Sequence, residues 1–427
     1  MHYMGRHLPA LAMGIVALLA LAALAAGCAR SEPTATTAPT HTPEPTATAQ
    51  PTPTPLSPAT ATPEPEATEE AEDAVRPTIT PTPGTVGSPA PELEGVSGWI
   101  QTEPFTIESL RGGVVLIDFW TYTCVNCIRT LPYLTAWHDR YADLGLTIVG
   151  VHSPEFEFEK LRGNIEKSIE EHGIEYPVVQ DNEFSTWLAY NNRAWPAKYL
   201  IDRDGIIRYS HFGEGAYDET EELIRELLTE AGADVSDIAP GADPGPDPDS
   251  RAYQRDGTGQ TRELYAGYVR NFAVRGAYIA NQEYYSAPLD MPSDYTPSEE
   301  YRNHFLYLNG SWIKGAESLT HGRQTDNLED FIALRFHGTS VNVVTDFDDG
   351  EPVRVYLTMD SEPVPEDARG SHVQSEDDGR TFFEINEPRM YNLVRLEEYG
   401  GHDLELSSDS DRFSVFAFTF GSYAEGP

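Results

Sequence analysis

Val114-Val115-Leu116-Ile117-Asp118-Phe119-Trp120-Thr121-Tyr122-Thr123-Cys124-Val125-Asn126-Cys127-Ile128-Arg129 is the stretch on which the fold turns. Its first seven residues form an apolar run of strand length interrupted by one acid, Asp118. Residues 128–141 carry the spacing of an amphipathic helix, so the two cysteines stand where a strand hands over to a helix. Two cysteines separated by two residues at a helix N-terminus can close into a small disulfide ring. The helix dipole and its free N–H groups stabilise a thiolate on the first of them. Cys124 is therefore expected to be the exposed nucleophile that attacks a substrate disulfide. Cys127, one turn further in, is expected to resolve the mixed disulfide. Half of a zinc site is the competing chemistry, but no second cysteine pair or nearby histidine pair completes it, so neither metal nor cofactor is expected. A purely structural disulfide is the other alternative.

Outward from that stretch the chain alternates. Residues 146–151 read as a second strand, 157–172 as a charged, exposed helix ended by Gly173, and 177–179 as a short strand. Residues 183–190 read as a short helix, 197–201 and 206–210 as a hairpin across Asp204-Gly205, and 218–231 as a closing helix. This is the pattern of an α/β layer fold, assigned to residues 91–236. A Pro/Gly/Asp-rich linker, 237–256, follows, and then the texture changes. Alternating or aromatic-rich runs at 331–345, 353–359, 381–385, 403–406 and 413–420 predict an all-β antiparallel sandwich over 257–427.

The N-terminus has the form of an export signal: Arg6 and His7, an apolar run to Ala26, then Gly27-Cys28. Small residues ahead of Cys28 resemble a bacterial lipobox, which implies a signal peptide over 1–27 and lipidation of Cys28. The protein is then expected on the extracytoplasmic face of a cell membrane, lipid-anchored. Between Ser31 and Ala90, 14 prolines and 16 threonines leave too little apolar surface for a core, so residues 28–90 read as a disordered, semi-stiff tether. Across the chain 69 acidic residues face 29 basic ones, a formal charge of −40, which excludes nucleic acid as a partner because phosphate binding needs a basic surface. The three cysteines exclude a disulfide-dense scaffold.

With Asp118 six residues ahead of Cys124, Pro132 five residues past Cys127, and Trp195-Pro196 ahead of the strand at 197–201, the chain resembles the thioredoxin superfamily. The resemblance implies that Cys124 and Cys127 form a redox-active disulfide and that Asp118 is a buried acid relaying protons to and from Cys127. It also implies that Trp195-Pro196 is the cis-proline loop that aligns an extended substrate peptide. A solvent-facing strand end is the alternative for Asp118, and its apolar neighbours Leu116, Ile117 and Phe119 oppose it. Trp195 stands where the family often has threonine, which suggests a hydrophobic subsite.

The lead-in 105–112 and the insertion between Val151 and Tyr176 are similar to the extracytoplasmic TlpA-like thiol-disulfide oxidoreductases. Residues 120–129 and Trp195-Pro196-Ala197-Lys198-Tyr199 resemble DipZ-type proteins more closely still. Past the redox domain, Asn303-His304, Gly310-Ser311-Trp312, Glu387-Pro388-Arg389-Met390-Tyr391 and 416–421 are similar to the β-rich domain of that group, which is likened to a carbohydrate-binding module. The fold class expected is thus an α/β thioredoxin-like domain followed by an all-β sandwich of jelly-roll or carbohydrate-binding-module type. Thiol- or disulfide-bearing exported proteins are the substrates implied. DipZ-type proteins carry a CcdA-like membrane domain that is not seen in this chain, so a separate CcdA-like membrane electron donor is expected.

Two rival functions stay open at this point. Thr121, three residues before Cys124, fits a peroxiredoxin-like peroxide reductase with an antioxidant role. That pattern also wants proline at position 117, which is Ile117. A cell-surface glycan-binding protein with an accessory redox domain is the other, with Tyr284, Tyr285 and Trp312 as candidate sugar-stacking residues, although aromatics in a sandwich are more often core; the β domain could equally take a protein ligand. Asp346, Asp348, Asp349 and Glu351 fit an Asp-Gly turn better than a calcium loop.

Overall fold

The computed structural model describes residues 82–241, 259–271, 276–296, 298–348 and 350–421. The expected export signal, Cys28, nearly all of the expected tether, most of the 237–256 segment and Asp349 lie outside the described residues. Among the described residues no helix is long and apolar enough to cross a membrane.

Six strands form the first sheet: β1 (Gly98–Ile100), β2 (Val114–Trp120), β3 (Leu146–His152), β4 (Val178–Gln180), β5 (Ala197–Ile201) and β6 (Ile207–Phe212), in the spatial order β1-β4-β3-β2-β5-β6. The helices between them are α1 (Val125–Tyr141), α2 (Arg162–Glu171), α3 (Ser185–Ala189) and α4 (Tyr217–Glu230). All seven residues of β2 are buried because it has neighbours on both edges, β3 parallel and β5 antiparallel, and apolar clusters on both faces. That is the setting in which a strand reads as a continuous apolar run. Ahead of the sheet, residues 87–90 already hydrogen-bond to the β5–β6 turn at 205–207.

The helix predicted over 157–172 is two pieces. A single 3₁₀ turn, Glu157–Lys160, ends at Leu161, whose ψ of 115° is extended, and α2 starts only after it. The break arises because Phe158 and Glu159 are pulled into the interior while the flanking residues stay near solvent, and one straight helix cannot face both ways. The helix predicted over 183–190 is likewise trimmed to α3.

The second region is antiparallel, as expected. Its frame is the pairing of Phe331–Thr345 with Arg389–Ser407, interrupted by register shifts between Gly338 and Ser340 and between Val341 and Asn342. Before the first shift the 331–345 strand pairs on its other edge with Leu306–Lys314, and past it with Ala417–Gly421. A bulge lets one strand serve two neighbours in succession, and here it joins both to a single 12-stranded sheet. Tyr284 (1% exposed) and Trp312 (0%) are core residues and the partly buried Tyr285 packs against that core, so the core reading of these aromatics holds and the sugar-stacking alternative does not for Tyr284 and Trp312.

The two regions share apolar interior. The cluster under the first sheet, which includes Trp120, Leu131 and Trp137, continues into Val344, Met390, Phe416 and Ala417. Phe416 meets Phe156 and Phe158 edge-on, with ring centroids 5.2 and 4.9 Å away.

Candidate active site

Cys124 caps α1. Its backbone is extended (φ −80°, ψ 113°) and its Sγ accepts the Cys127 N–H at 3.3 Å, so the sulfur takes up one of the N–H groups that a helix start leaves unpaired. A thiolate there gains from the helix dipole and from that donor together. Cys124 is half-buried, whereas Cys127 is 1% exposed and faces the interior. Burial pushes the Cys127 thiol well above the usual range; the hydrogen bond with Cys124 adds to this and a backbone N–H from Thr121 opposes it. One sulfur is thus reachable and the other is kept protonated until a base acts.

Asp118 lies behind the pair, 1% exposed, with no hydrogen-bond partner for its Oδ1. The solvent-facing alternative for this residue is therefore corrected. Burial raises its carboxyl to about 7, and the charge of Lys198 partly offsets that rise. Lys198 stands directly opposite Asp118 in the β2–β5 register and is itself fully buried. Burial lowers its ammonium to about 8, against the attraction of Asp118. Its Nζ donates to the Gly215 carbonyl at 3.2 Å and sits 5.1 Å from the Tyr217 ring centroid. A buried carboxyl that titrates near neutrality suits proton transfer.

The Trp195-Pro196 peptide is cis. Trp195 is half-buried: its indole N–H donates to the Ser153 carbonyl at 2.9 Å, and its ring lies 4.4 Å from that of Trp187. It packs at the edge of the same apolar cluster as Cys124 and Ile128. All five sequence-predicted residues of the redox domain are therefore drawn to one end of β2. Cys28 lies outside the described residues.

Two residues escaped the sequence reading. Lys198 carried a signal, a lone cation inside an apolar strand. Glu159 carried none, being one glutamate in a charged segment, yet its carboxylate is fully buried beneath Thr123. No group of metal-ligating side chains occurs among the described residues.

A central β2, a dithiol at the start of α1, an acid behind it and a cis-proline loop beside it define a thioredoxin-like redox protein. Residues 86–210 match the AhpC/TSA family and residues 261–421 match the thioredoxin-like C-terminal domain. YkuV of Bacillus subtilis, a thiol-disulfide oxidoreductase, is 30% identical over 142 residues, covering 33% of this chain and 95% of that protein. The chain belongs to the thioredoxin-like thiol-disulfide oxidoreductases. DipZ of Mycobacterium bovis is 35% identical over 338 residues, 78% of this chain but 43% of that protein, so the chain spans less than half the length of this relative. A thioredoxin-like protein solved in its oxidized form is 31% identical, covering 33% of this chain and 95% of that one, with a TM-score of 0.31.

Proposed function

We propose that the protein exchanges dithiol for disulfide on exported proteins from the outer face of a membrane, held there by a lipid on Cys28. One observation supports this most directly: a half-exposed sulfur at a helix N-terminus, with its partner thiol and a carboxyl titrating near 7 buried behind it. In the reducing direction the Cys124 thiolate attacks a substrate disulfide, forming one S–S bond and releasing one substrate thiolate. Cys127 gives its proton to Asp118 and attacks Cys124 Sγ. The second substrate thiolate leaves, and the pair ends as a disulfide after passing two electrons to the substrate. Pro196 and Trp195 align the substrate chain at the dithiol.

A CcdA-like membrane protein returns the electrons. A peroxidase reading fits the fold equally but meets isoleucine at position 117. The β-rich region packs on the redox domain and takes a protein or glycan ligand on whatever surface remains.

The test is equilibration of the full chain with dithiothreitol buffers, followed by thiol alkylation and mass measurement. The expected result is reversible two-electron cycling confined to Cys124 and Cys127. A chain that does not cycle, or that turns over hydrogen peroxide faster than protein disulfides, overturns the reading.

A further inference from the structure

Glu159 holds the turn that presents both sulfurs. Its Oε1 accepts the Thr123 hydroxyl, one residue ahead of Cys124, while the neighbouring Thr121 hydroxyl lies 3.3 Å from His152 Nε2. Thr121 in turn supplies the carbonyl that receives the Cys124 N–H at 3.3 Å and the N–H that faces the Cys127 sulfur. Oε2 accepts the N–H groups of Glu155 and, at 3.1 Å, of Phe156. Glu159 thus ties the 153–160 loop to Thr123.

That loop is gripped from the β-rich region. Glu155 Oε1 receives Arg270 Nη1 at 2.6 Å and lies 2.9 Å from Tyr265 Oη, whose single proton it shares with Glu263 Oε2 at 2.6 Å, and the side chain of Glu155 is only 8% exposed. Phe416 packs edge-on against both Phe156 and Phe158. A buried carboxylate next to a second carboxylate is tolerated because Arg270 neutralises the outer one.

We propose that Glu159 is a positioning residue for the dithiol, and that the β-rich region governs its charge and placement through Arg270, Tyr265 and Glu155. This rests on the exchange reading above. It makes the second region part of the redox unit, whatever else that region binds.

Burial, reinforced by Glu155, raises the Glu159 carboxyl to about 7. Other titratable groups in this cluster are Tyr122, whose phenol is pushed up by burial and by Glu159, His152, held neutral by burial at about 3 with Nε2 3.3 Å from the Thr121 hydroxyl, and Glu263, raised to about 7 by burial and by Glu155 and hydrogen-bonded to Tyr265. Asp346 adds a weaker like charge on Tyr122. Above neutrality an ionised Glu159 disfavours a thiolate across Thr123, and removing that charge favours the dithiol form.

The experiment equilibrates full-length protein with dithiothreitol at pH 6 and pH 8. Dithiothreitol gives up two electrons and two protons as the Cys124–Cys127 bond breaks. An Asp118→Asn, Glu263→Gln background removes the other two carboxyls in this cluster and behind the dithiol that titrate near 7. Glu159→Gln is expected to shift the equilibrium toward the dithiol at pH 8 by about three- to tenfold, about 15 to 30 mV for a two-electron couple, and little at pH 6. Arg270→Met, which strips the cation from Glu155, is expected to move the pH at which this difference opens upward; Tyr265→Phe does the same more weakly and covers the case in which Arg270→Met does not fold. Equal equilibria at both pH values for folded Glu159→Gln, or no change in the opening pH with Tyr265→Phe and Arg270→Met, overturn the proposal. If the parent chain does not cycle at all, the exchange reading itself has failed.

Discussion

Asp118 and Lys198 face each other across the β2–β5 pairing, both fully inside the protein. Burial moves them toward one another, the acid up to about 7 and the ammonium down to about 8. A pair poised this way can pass a proton near neutral pH without leaving an isolated charge in the core.

Asp118→Asn is accordingly expected to slow the resolving step by about a hundredfold, the usual scale of general acid–base assistance. A rapid chase of a preformed mixed disulfide on Cys124 measures that step alone. An unchanged rate at pH 7 removes Asp118 from the mechanism.

Lys198→Met tests the other half. The lysine's charge holds the Asp118 carboxyl below where burial alone would set it. Without that charge the carboxyl titrates higher, so the base form appears later as pH rises. The rising limb of the resolution rate, expected around pH 7 in the wild type, moves to higher pH. A limb that stays in place or moves down contradicts this sign.

Cys127→Ser is expected to accumulate substrates on Cys124, whereas Cys124→Ser captures none, because only Cys124 reaches the surface and Cys127 is closed off. Non-reducing gels of alkylated extracts read both outcomes. Equal capture by the two variants contradicts the division of labour.

Trp195→Ala loses an indole hydrogen bond and a ring contact at a half-buried site. The expected cost is about 1–3 kcal/mol, seen as a lower urea midpoint with an unchanged slope. If Trp195 also seats substrate, KM rises more than kcat falls.

How far the sequence could be read follows from where each residue's neighbours come from. Cys124, Cys127, Asp118 and Pro196 sit at punctuation points of the chain, a strand end, a helix start and a turn, so their roles depend on residues close by in sequence. The strands at 331–345 and 353–359 were equally plain from alternation. The burial of Glu159 was not legible, because its side chain meets Thr123, 36 positions back, on a loop that Tyr265, Arg270 and Phe416 clamp from more than a hundred positions away. The break at Leu161 has the same origin, since local spacing favours a helix straight through it. For Tyr284 and Trp312 core packing was the better reading and sugar stacking the weaker one, and sequence could only weigh the two because an aromatic residue looks the same whether it faces a ligand or a core.

The apolar interior that runs from Trp120 and Leu131 into Met390 and Phe416 also bears on how this molecule can be handled. Cutting the chain in the 237–256 segment would not release a self-sufficient enzyme. It would strip the cover from Phe156 and Phe158 and leave an adhesive aromatic face next to a reactive thiol. Anyone grafting the redox half onto another scaffold would have to carry the second half along or rebuild that face in polar residues.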